Sequence, residues 1–176
     1  MQRRLARSAV VLAAVTLLAT ACAASPTPTP TVFASEEEAF AAAEETYRAY
    51  VEAANNVNLK DPETFEPLYE LTTGAALAAA REEFTMMHAE GYQREGTTAI
   101  ALLEHRSADV EGGTAELDVC VDNSDLDVLD ESGASVVSPD RPDIQPMRIE
   151  FELRDDRTAL ISSALARTGE PECPAH

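Results

Sequence analysis

The hydrophobic pattern of this chain changes its period near Gly96, and that change is the strongest constraint on the fold. Before Gly96, apolar residues recur every three to four positions, as they do along one face of an α-helix. After Gly96, apolar and charged residues alternate, as they do in strands that bury one face only. The order predicts an α+β domain, in which helices pack on one face of a curved antiparallel sheet.

Three helices are predicted in the first half of the chain. Ser35 and Glu38 form a capping box at the start of the first helix, whose apolar side continues to Val57. A short second helix begins after Asp61, where a proline follows. The third helix is predicted over residues 74–90 and ends at Gly91, which is typical of a helix C-terminus.

Four strands are predicted in the second half, at residues 97–110, 115–122, 147–153 and 159–167. A Glu-Gly-Gly turn at residues 111–113 joins the first two strands as a hairpin. The segment from Asn123 to Pro146 is long for a compact domain. It is therefore predicted to be a loop that is either mobile or functional.

The length and charge limit what the chain can bind. Its 176 residues suit one domain with short appendages, and 13 Lys and Arg against 32 Asp and Glu give a formal net charge of −19. Arg3, Arg4 and Arg7 lie at the N-terminus, so the rest of the chain has ten basic and 32 acidic residues, or −22. Because nucleic-acid binding needs a basic surface, we exclude nucleic acid as a partner.

The N-terminus has the features of an export signal. Its arginines precede an apolar run of about eleven residues, which is too short for a stable membrane span. Residues 18–22, Leu-Ala-Thr-Ala-Cys, resemble the lipobox of bacterial lipoproteins. In that family the cysteine receives a diacylglyceryl group and becomes the new N-terminus. The resemblance implies lipidation of Cys22 and anchoring to the outer face of the cytoplasmic membrane.

The predicted organisation has three parts. Residues 1–21 are the signal peptide, residues 22–34 are the lipidated cysteine with a Pro/Thr linker, and residues 35–176 are one α+β domain. The alternative is an ordinary signal peptide cut after Ala21, with Cys22 unmodified. Export by the general secretory or by the twin-arginine route is left open.

Three cysteines are an odd number for an exported protein. If Cys22 is lipidated, Cys120 and Cys173 remain, and an oxidising compartment favours a disulfide between them. The alternative is that both thiols bind a metal. The sequence has no C-x-x-C motif, which argues against that alternative.

The order of elements resembles a known fold family. Three helices followed by a curved antiparallel sheet are the order of the cone-shaped nuclear-transport-factor-two-like fold, the group that includes the ketosteroid isomerases. The acidic, Tyr-rich first helix also resembles that of small exported actinobacterial lipoproteins of unassigned function. Further residues that carry this second resemblance are Cys120, Val121, Asp122, Asp130, Gly133, Glu172 and Cys173.

The resemblance to the isomerases implies a pocket inside the cone. Catalysis there would need an inward acid or base with a shifted pKa and a hydrogen-bond donor for developing negative charge. The inward candidates are Tyr47, Tyr50, Tyr69 and His88. The alternative places these side chains at the edge of the core, with their polar tips on water or a partner.

Four aspartates near the end of the second strand are candidates for a Ca²⁺ site. They are Asp122, Asp125, Asp127 and Asp130. Their spacing does not fit an EF-hand loop, so a solvated acidic loop is the preferred interpretation. No metal and no cofactor are therefore expected.

The sequence predicts a membrane-anchored exported lipoprotein with a small non-catalytic binding domain in a Gram-positive, actinobacterial envelope. Its expected partners are another envelope protein or a small apolar ligand in the cone, and its oligomeric state is left open. The alternative is an extracytoplasmic enzyme of isomerase or hydrolase type that uses the cone pocket. An enclosed pocket with an ionisable group beside Tyr47, Tyr50 or His88 would favour the enzyme.

Overall fold

The computed structural model describes residues 33–174. The predicted signal peptide, Cys22 and nearly all of the Pro/Thr linker lie outside the described residues. The helices are α1 (Glu36–Asn55), α2 (Glu66–Glu70) and α3 (Gly74–Ala89), with a 3₁₀ turn at Pro62–Phe65 before α2. Among residues 33–174, no helix is long and apolar enough to cross a membrane.

The first helix begins as the capping box predicts. Ser35 Oγ accepts a hydrogen bond from the Glu38 backbone N–H at 3.2 Å. The Glu38 carboxylate reaches back to the N–H of Ala34 at 2.7 Å, one residue earlier than a standard box. Phe33 is only 3% exposed, so it already belongs to the packed part of the domain.

The described residues contain six strands, which form two sheets. They are β1 (Gln93–Glu95), β2 (Ala99–Asp109), β3 (Thr114–Asp122), β4 (Asp127–Leu129), β5 (Ile144–Leu153) and β6 (Ala159–Ala166). The main sheet has the antiparallel order β2-β3-β5-β6, while β1 pairs with β4. Three helices on one face of a curved antiparallel sheet confirm the predicted α+β class.

The segment predicted as one long loop contains regular structure. Residues 127–129 form β4, an isolated bridge joins Leu129 to Ser135, and β5 begins at Ile144. A strand of three residues is too short to show an alternating pattern, which explains why the sequence did not reveal it. The loop prediction is therefore corrected to a loop interrupted by a paired strand.

The main core lies between α1 and the four-stranded sheet. Ala43, Tyr47 and Val51 of α1 are buried against the inward side chains of β3, β5 and β6. The Thr46 hydroxyl donates to the Ala159 carbonyl oxygen at 2.8 Å and so ties the helix to β6. The sheet residues of this cluster are Ala115, Leu117, Val119, Ile149, Phe151, Ala159 and Ile161.

A second core cluster lies beneath α2 and α3. Its buried members are Val57, Leu59, Phe65, Leu68, Tyr69 and Ala80. Each fully buried aliphatic or aromatic side chain of this size stabilises the fold by about 1.5–3 kcal/mol. The two clusters fix α1, α2 and α3 relative to the sheet.

The outer face of the main sheet, which points away from the helices, is closed by the C-terminal tail. Cys120 on β3 is completely buried and forms a disulfide with Cys173, with their Cα atoms 5.6 Å apart. The pairing predicted for these two cysteines is therefore present in the structure. It holds the tail that follows β6 against the middle of the sheet.

Beside the disulfide, one buried carboxylate meets three arginines. Asp118 is 3% exposed, and its oxygens lie 3.1 Å from Arg148 Nε and 3.2 Å from Arg106 Nη1. Arg167 Nε lies 3.6 Å from the same carboxylate, and its Nη2 contacts Cys120 Sγ at 3.6 Å. We call these four charged residues the Asp118 cluster.

The Asp118 cluster generates a stability prediction. The substitution Asp118→Asn keeps the shape of the side chain but removes the carboxylate charge that three guanidinium groups share. Arg106 and Arg148 are partly buried, and Arg167 is fully buried. Removing one partner from a buried ion pair costs about 3–5 kcal/mol, so we expect a loss of this order in the free energy of unfolding, measured in urea. Glu116→Gln, which affects a half-exposed partner of Arg106, should cost less than about 1 kcal/mol. Equal losses in both variants would contradict the cluster's role.

Candidate functional site

Two of the predicted pocket residues lie together on α1. The rings of Tyr47 and Tyr50 stack with their centroids 6.3 Å apart, and Tyr47 belongs to the main core. Neither hydroxyl has a hydrogen-bond partner among residues 33–174. Within that range, Arg167 Nε is the only fully buried side-chain polar atom without such a partner. Each hydroxyl therefore has at least a small surface in contact with solvent, although Tyr47 as a residue is only 3% exposed.

Glu83 on α3 lies close enough to Tyr50 to act on it electrostatically. Burial raises the pKa of Tyr50, and the negative charge of Glu83 raises it further. Partial desolvation of the Glu83 carboxyl also raises its own pKa, although the residue retains an exposed surface. We call Tyr47, Tyr50 and Glu83 the Tyr/Glu site.

Glu83 is not among the residues that the sequence predicts for the pocket. The signal was present, since Ala76, Ala80, Glu83 and Met87 follow one another at intervals of three and four residues. Ala76 packs on the main core, and Ala80 and Met87 belong to the second cluster. Because its neighbours in this row pack on the two cores, the Glu83 side chain lies against protein on one side. This contact partly removes water from its carboxyl group.

The phenols of the Tyr/Glu site are hydrogen-bond donors at neutral pH. Desolvation by burial raises the pKa of Tyr47 above its ordinary value, and the neighbouring Tyr50 adds to this. A raised phenol pKa keeps the O–H proton in place. The site can therefore donate two hydrogen bonds to a bound acceptor, and Glu83 can accept or donate one according to its protonation.

Tyr69 lies apart from the Tyr/Glu site. Its ring packs on Phe65 and Phe84 in the second cluster, at centroid distances of 6.3 and 6.4 Å. The Arg81 guanidinium sits 5.4 Å from the Tyr69 ring centroid, in a cation–π contact. These contacts give Tyr69 a packing role.

His88 also lies apart, near the C-terminus of α3. Its ring Nδ1 is 2.7 Å from the Leu59 carbonyl oxygen. The ring lines a surface groove with Leu59, Lys60, Gly91, Gln93 and Glu131. The structure thus brings together two of the four predicted pocket residues and separates the other two.

Five surface grooves on the described part of the chain have no tyrosine in their lining. One, of about 580 Å³, runs between α1 and the β5–β6 hairpin beside Thr46 and Arg154. Another lies between α1 and α2, beside Ala53 and Pro67. The solvent-accessible hydroxyls of the Tyr/Glu site therefore sit outside these grooves.

The four aspartates considered for Ca²⁺ stabilise separate turns. Asp122 and Asp125 accept backbone N–H bonds from Ser124 and Thr97, at 2.9 and 3.2 Å. Asp127 accepts from Ser135 Oγ at 2.6 Å.

Asp130 accepts hydrogen bonds from Ser132 and Ala134, and these lower its pKa. Within residues 33–174, no group of three or more His, Cys, Asp or Glu side chains is placed to hold a metal ion. The acidic loop is thus an ordered series of turns.

Comparison with known proteins finds similarity in fold only. No protein-family model and no curated protein matches it. Among solved structures, the intermembrane space region of the chloroplast protein ARC6 is similar, with a TM-score of 0.50 and 14% identity over 72% of this chain and 95% of that chain. At such an identity the likeness concerns the fold alone.

Two further solved structures match with lower TM-scores. A protein from Catenulispora acidiphila in complex with S-DNPA has a TM-score of 0.47 and 15% identity, over 74% of this chain and 92% of that chain. Aln2 from a Streptomyces species has a TM-score of 0.43 and 16% identity, over 74% of this chain and 90% of that chain. These likenesses do not indicate a ligand for this chain.

The raised pKa of Glu83 generates a pH-dependent prediction. An acid whose pKa is higher in the folded than in the unfolded state lowers stability once it ionises. The penalty is therefore fully present at neutral pH and disappears below the ordinary value of 4.5. We expect Glu83→Gln to raise the melting temperature at pH 7 but not at pH 4.

Glu82→Gln is the matched control, because it removes the same charge from the neighbouring position on α3, and both residues are exposed. It reports the general effect of lowering the net negative charge. A gain in melting temperature that is equal in both variants, or equal at both pH values, would contradict the placement of Glu83.

Proposed function

We propose that this chain is an exported, lipid-anchored protein whose cone domain binds a small, mostly apolar molecule at the Tyr/Glu site. The observation that carries the proposal is the pair of solvent-accessible hydroxyls of Tyr47 and Tyr50, which lack protein partners among residues 33–174 and rise from an apolar core. Binding sites of this kind combine apolar walls with a few placed polar groups. The ligand needs a hydrogen-bond acceptor, such as a carbonyl oxygen.

Export and anchoring rest on the N-terminal sequence. The lipobox-like residues 18–22 predict lipidation of Cys22, and the Pro/Thr linker would hold the domain away from the membrane surface. The buried disulfide between Cys120 and Cys173 supports an oxidising compartment, since such bonds persist mainly outside the cytosol. An actinobacterial envelope remains part of the proposal.

Binding without catalysis is the preferred activity, because none of the five grooves on the described part of the chain is lined by Tyr47 or Tyr50. The predicted alternative partner is another envelope protein. A surface of strongly negative charge favours a basic partner over an acidic one.

One observation favours an enzyme as the second candidate. Glu83 has a raised pKa and acts electrostatically on Tyr50, so an acid or base and a hydrogen-bond donor lie at one site. This pair is suited to isomerase-type proton transfer beside a carbonyl group. Catalysed deuterium exchange into a simple enolisable ketone, lost in Glu83→Gln and kept in Glu82→Gln, would establish this candidate.

Ligand binding is tested with Nile red, a neutral apolar dye that carries a carbonyl group. We expect the wild-type domain to enhance its fluorescence, and Tyr50→Phe to weaken binding by about two- to tenfold, as for the loss of one net hydrogen bond. Tyr92→Phe, a half-buried tyrosine in the second cluster, should leave the affinity unchanged. Absence of binding, or an equal effect of both variants, would contradict the proposed site.

Anchoring is tested with Cys22→Ser in the full chain expressed in a Gram-positive host. The variant lacks the thiol that would carry the lipid, so we expect the protein to move from the membrane fraction to the soluble exported fraction. The measurement is an immunoblot of the two fractions. A variant that stays in the membrane fraction would exclude a lipid on Cys22 as the anchor.

A further inference from the structure

A polar groove lies at the end of α1 that is remote from the N-terminus of the domain. It has a volume of about 520 Å³ and is formed by the turn after α1, the end of α3 and the loop after β4. Its lining residues are Leu59, Lys60, His88, Gly91, Gln93 and Glu131. We call it the Lys60 groove.

Lys60 is the only lysine of the chain. Each of the nine arginines in residues 33–174 has an ion pair, a hydrogen bond or an aromatic ring as its partner. Within those residues, Lys60 is the one Lys or Arg whose side chain has no such contact. In a domain with so many carboxylates, an unpaired ammonium beside a groove is available to a ligand.

His88 presents one ring nitrogen for binding. Its Nδ1 lies 2.7 Å from the carbonyl oxygen of Leu59, which can only accept, so Nδ1 is the donor. Leu59 is 2% exposed, and its backbone holds the imidazole in one orientation. Nε2 has no hydrogen-bond partner in the described part of the chain and remains free for a ligand.

Glu131 lies against Gly91 at the edge of the groove. A Cβ atom at Gly91 would lie 2.8 Å from Glu131 Oε1, so a side chain there would make the flexible Glu131 side chain move. The backbone φ of Gly91 is +71°, a conformation that favours glycine. The Glu131 carboxylate makes no ion pair or hydrogen bond with residues 33–174.

The groove therefore carries one ammonium, one carboxylate and one imidazole nitrogen, all without partners in the described part of the protein. Lys60 and Glu131 do not approach within the 4.0 Å of an ion pair. A ligand that bridges them must carry a negative and a positive group together. We propose that the Lys60 groove binds a small zwitterion of the amino-acid class, with its carboxylate on Lys60 and its ammonium on Glu131.

A metal ion is the competing occupant, since His88 Nε2 and the Glu131 carboxylate are both possible ligands. A zinc site uses three or four protein ligands, whereas only two are available here. The Lys60 ammonium would also repel a cation. The zwitterion matches both charged groups of the groove, which is why it is preferred. Its argument is independent of the Tyr/Glu site and of the lipid anchor.

The test is isothermal titration of the disulfide-bonded domain with each common L-amino acid at millimolar concentration, and with acetate, methylammonium and Zn²⁺ alone. We expect at least one amino acid to bind, with both single-charge probes at least about tenfold weaker. Lys60→Gln and Glu131→Gln should each weaken binding by about tenfold, equivalent to ~1.4 kcal/mol. Glu90→Gln, an exposed acid outside the lining, should bind as wild type.

Three results would overturn the proposal. The first is that no amino acid binds, and the second is that Glu90→Gln weakens binding as much as Glu131→Gln does. The third is that only Zn²⁺ binds and that His88→Ala abolishes its binding. Because Tyr50 and Glu83 take no part in this experiment, its failure would leave the Nile red result unaffected.

Discussion

The buried carboxylate of Asp118 is the constraint on which the outer face of the sheet depends. It sits on the central strand β3 and draws Arg106, Arg148 and Arg167 from β2, β5 and the tail. A carboxylate taken out of water is tolerated only when such partners surround it. Arg167 links this cluster to Cys120 and so to the disulfide. Charge pairing and a covalent bond thus hold the same tail on the same strand.

The two faces of the sheet serve different purposes as a result. The inner face carries the apolar core against α1, and the Tyr/Glu site lies where the core meets solvent. The outer face is occupied by the tail and the Asp118 cluster. Both proposed binding sites therefore lie on the helical side or in the loops, with the Lys60 groove near the end of α1 that is remote from Phe33.

Much of the fold followed from periodicity. The helices, the four long strands and the Cys120–Cys173 pair were predictable, because each leaves a local pattern or a count in the sequence. Strand β4 was not, since three residues carry no pattern. Glu83 was not predicted, because in the sequence a single acid in an apolar row does not differ from other surface acids. The Asp118 cluster depends on contacts between distant strands, and Glu131 comes beside Gly91 only in the folded chain. Neither leaves a local signal.

The central claim is that the disulfide and the Asp118 cluster together hold the tail on the sheet. It is tested most directly by urea unfolding of the disulfide-bonded domain and of its Cys173→Ser variant, with Glu172→Ser as the control. Closing a loop with a sequence separation of 53 residues stabilises by roughly 4 kcal/mol on the chain-entropy model. We expect the variant to lose about that free energy of unfolding and the control to lose almost none. Equal stability of all three proteins would contradict the account.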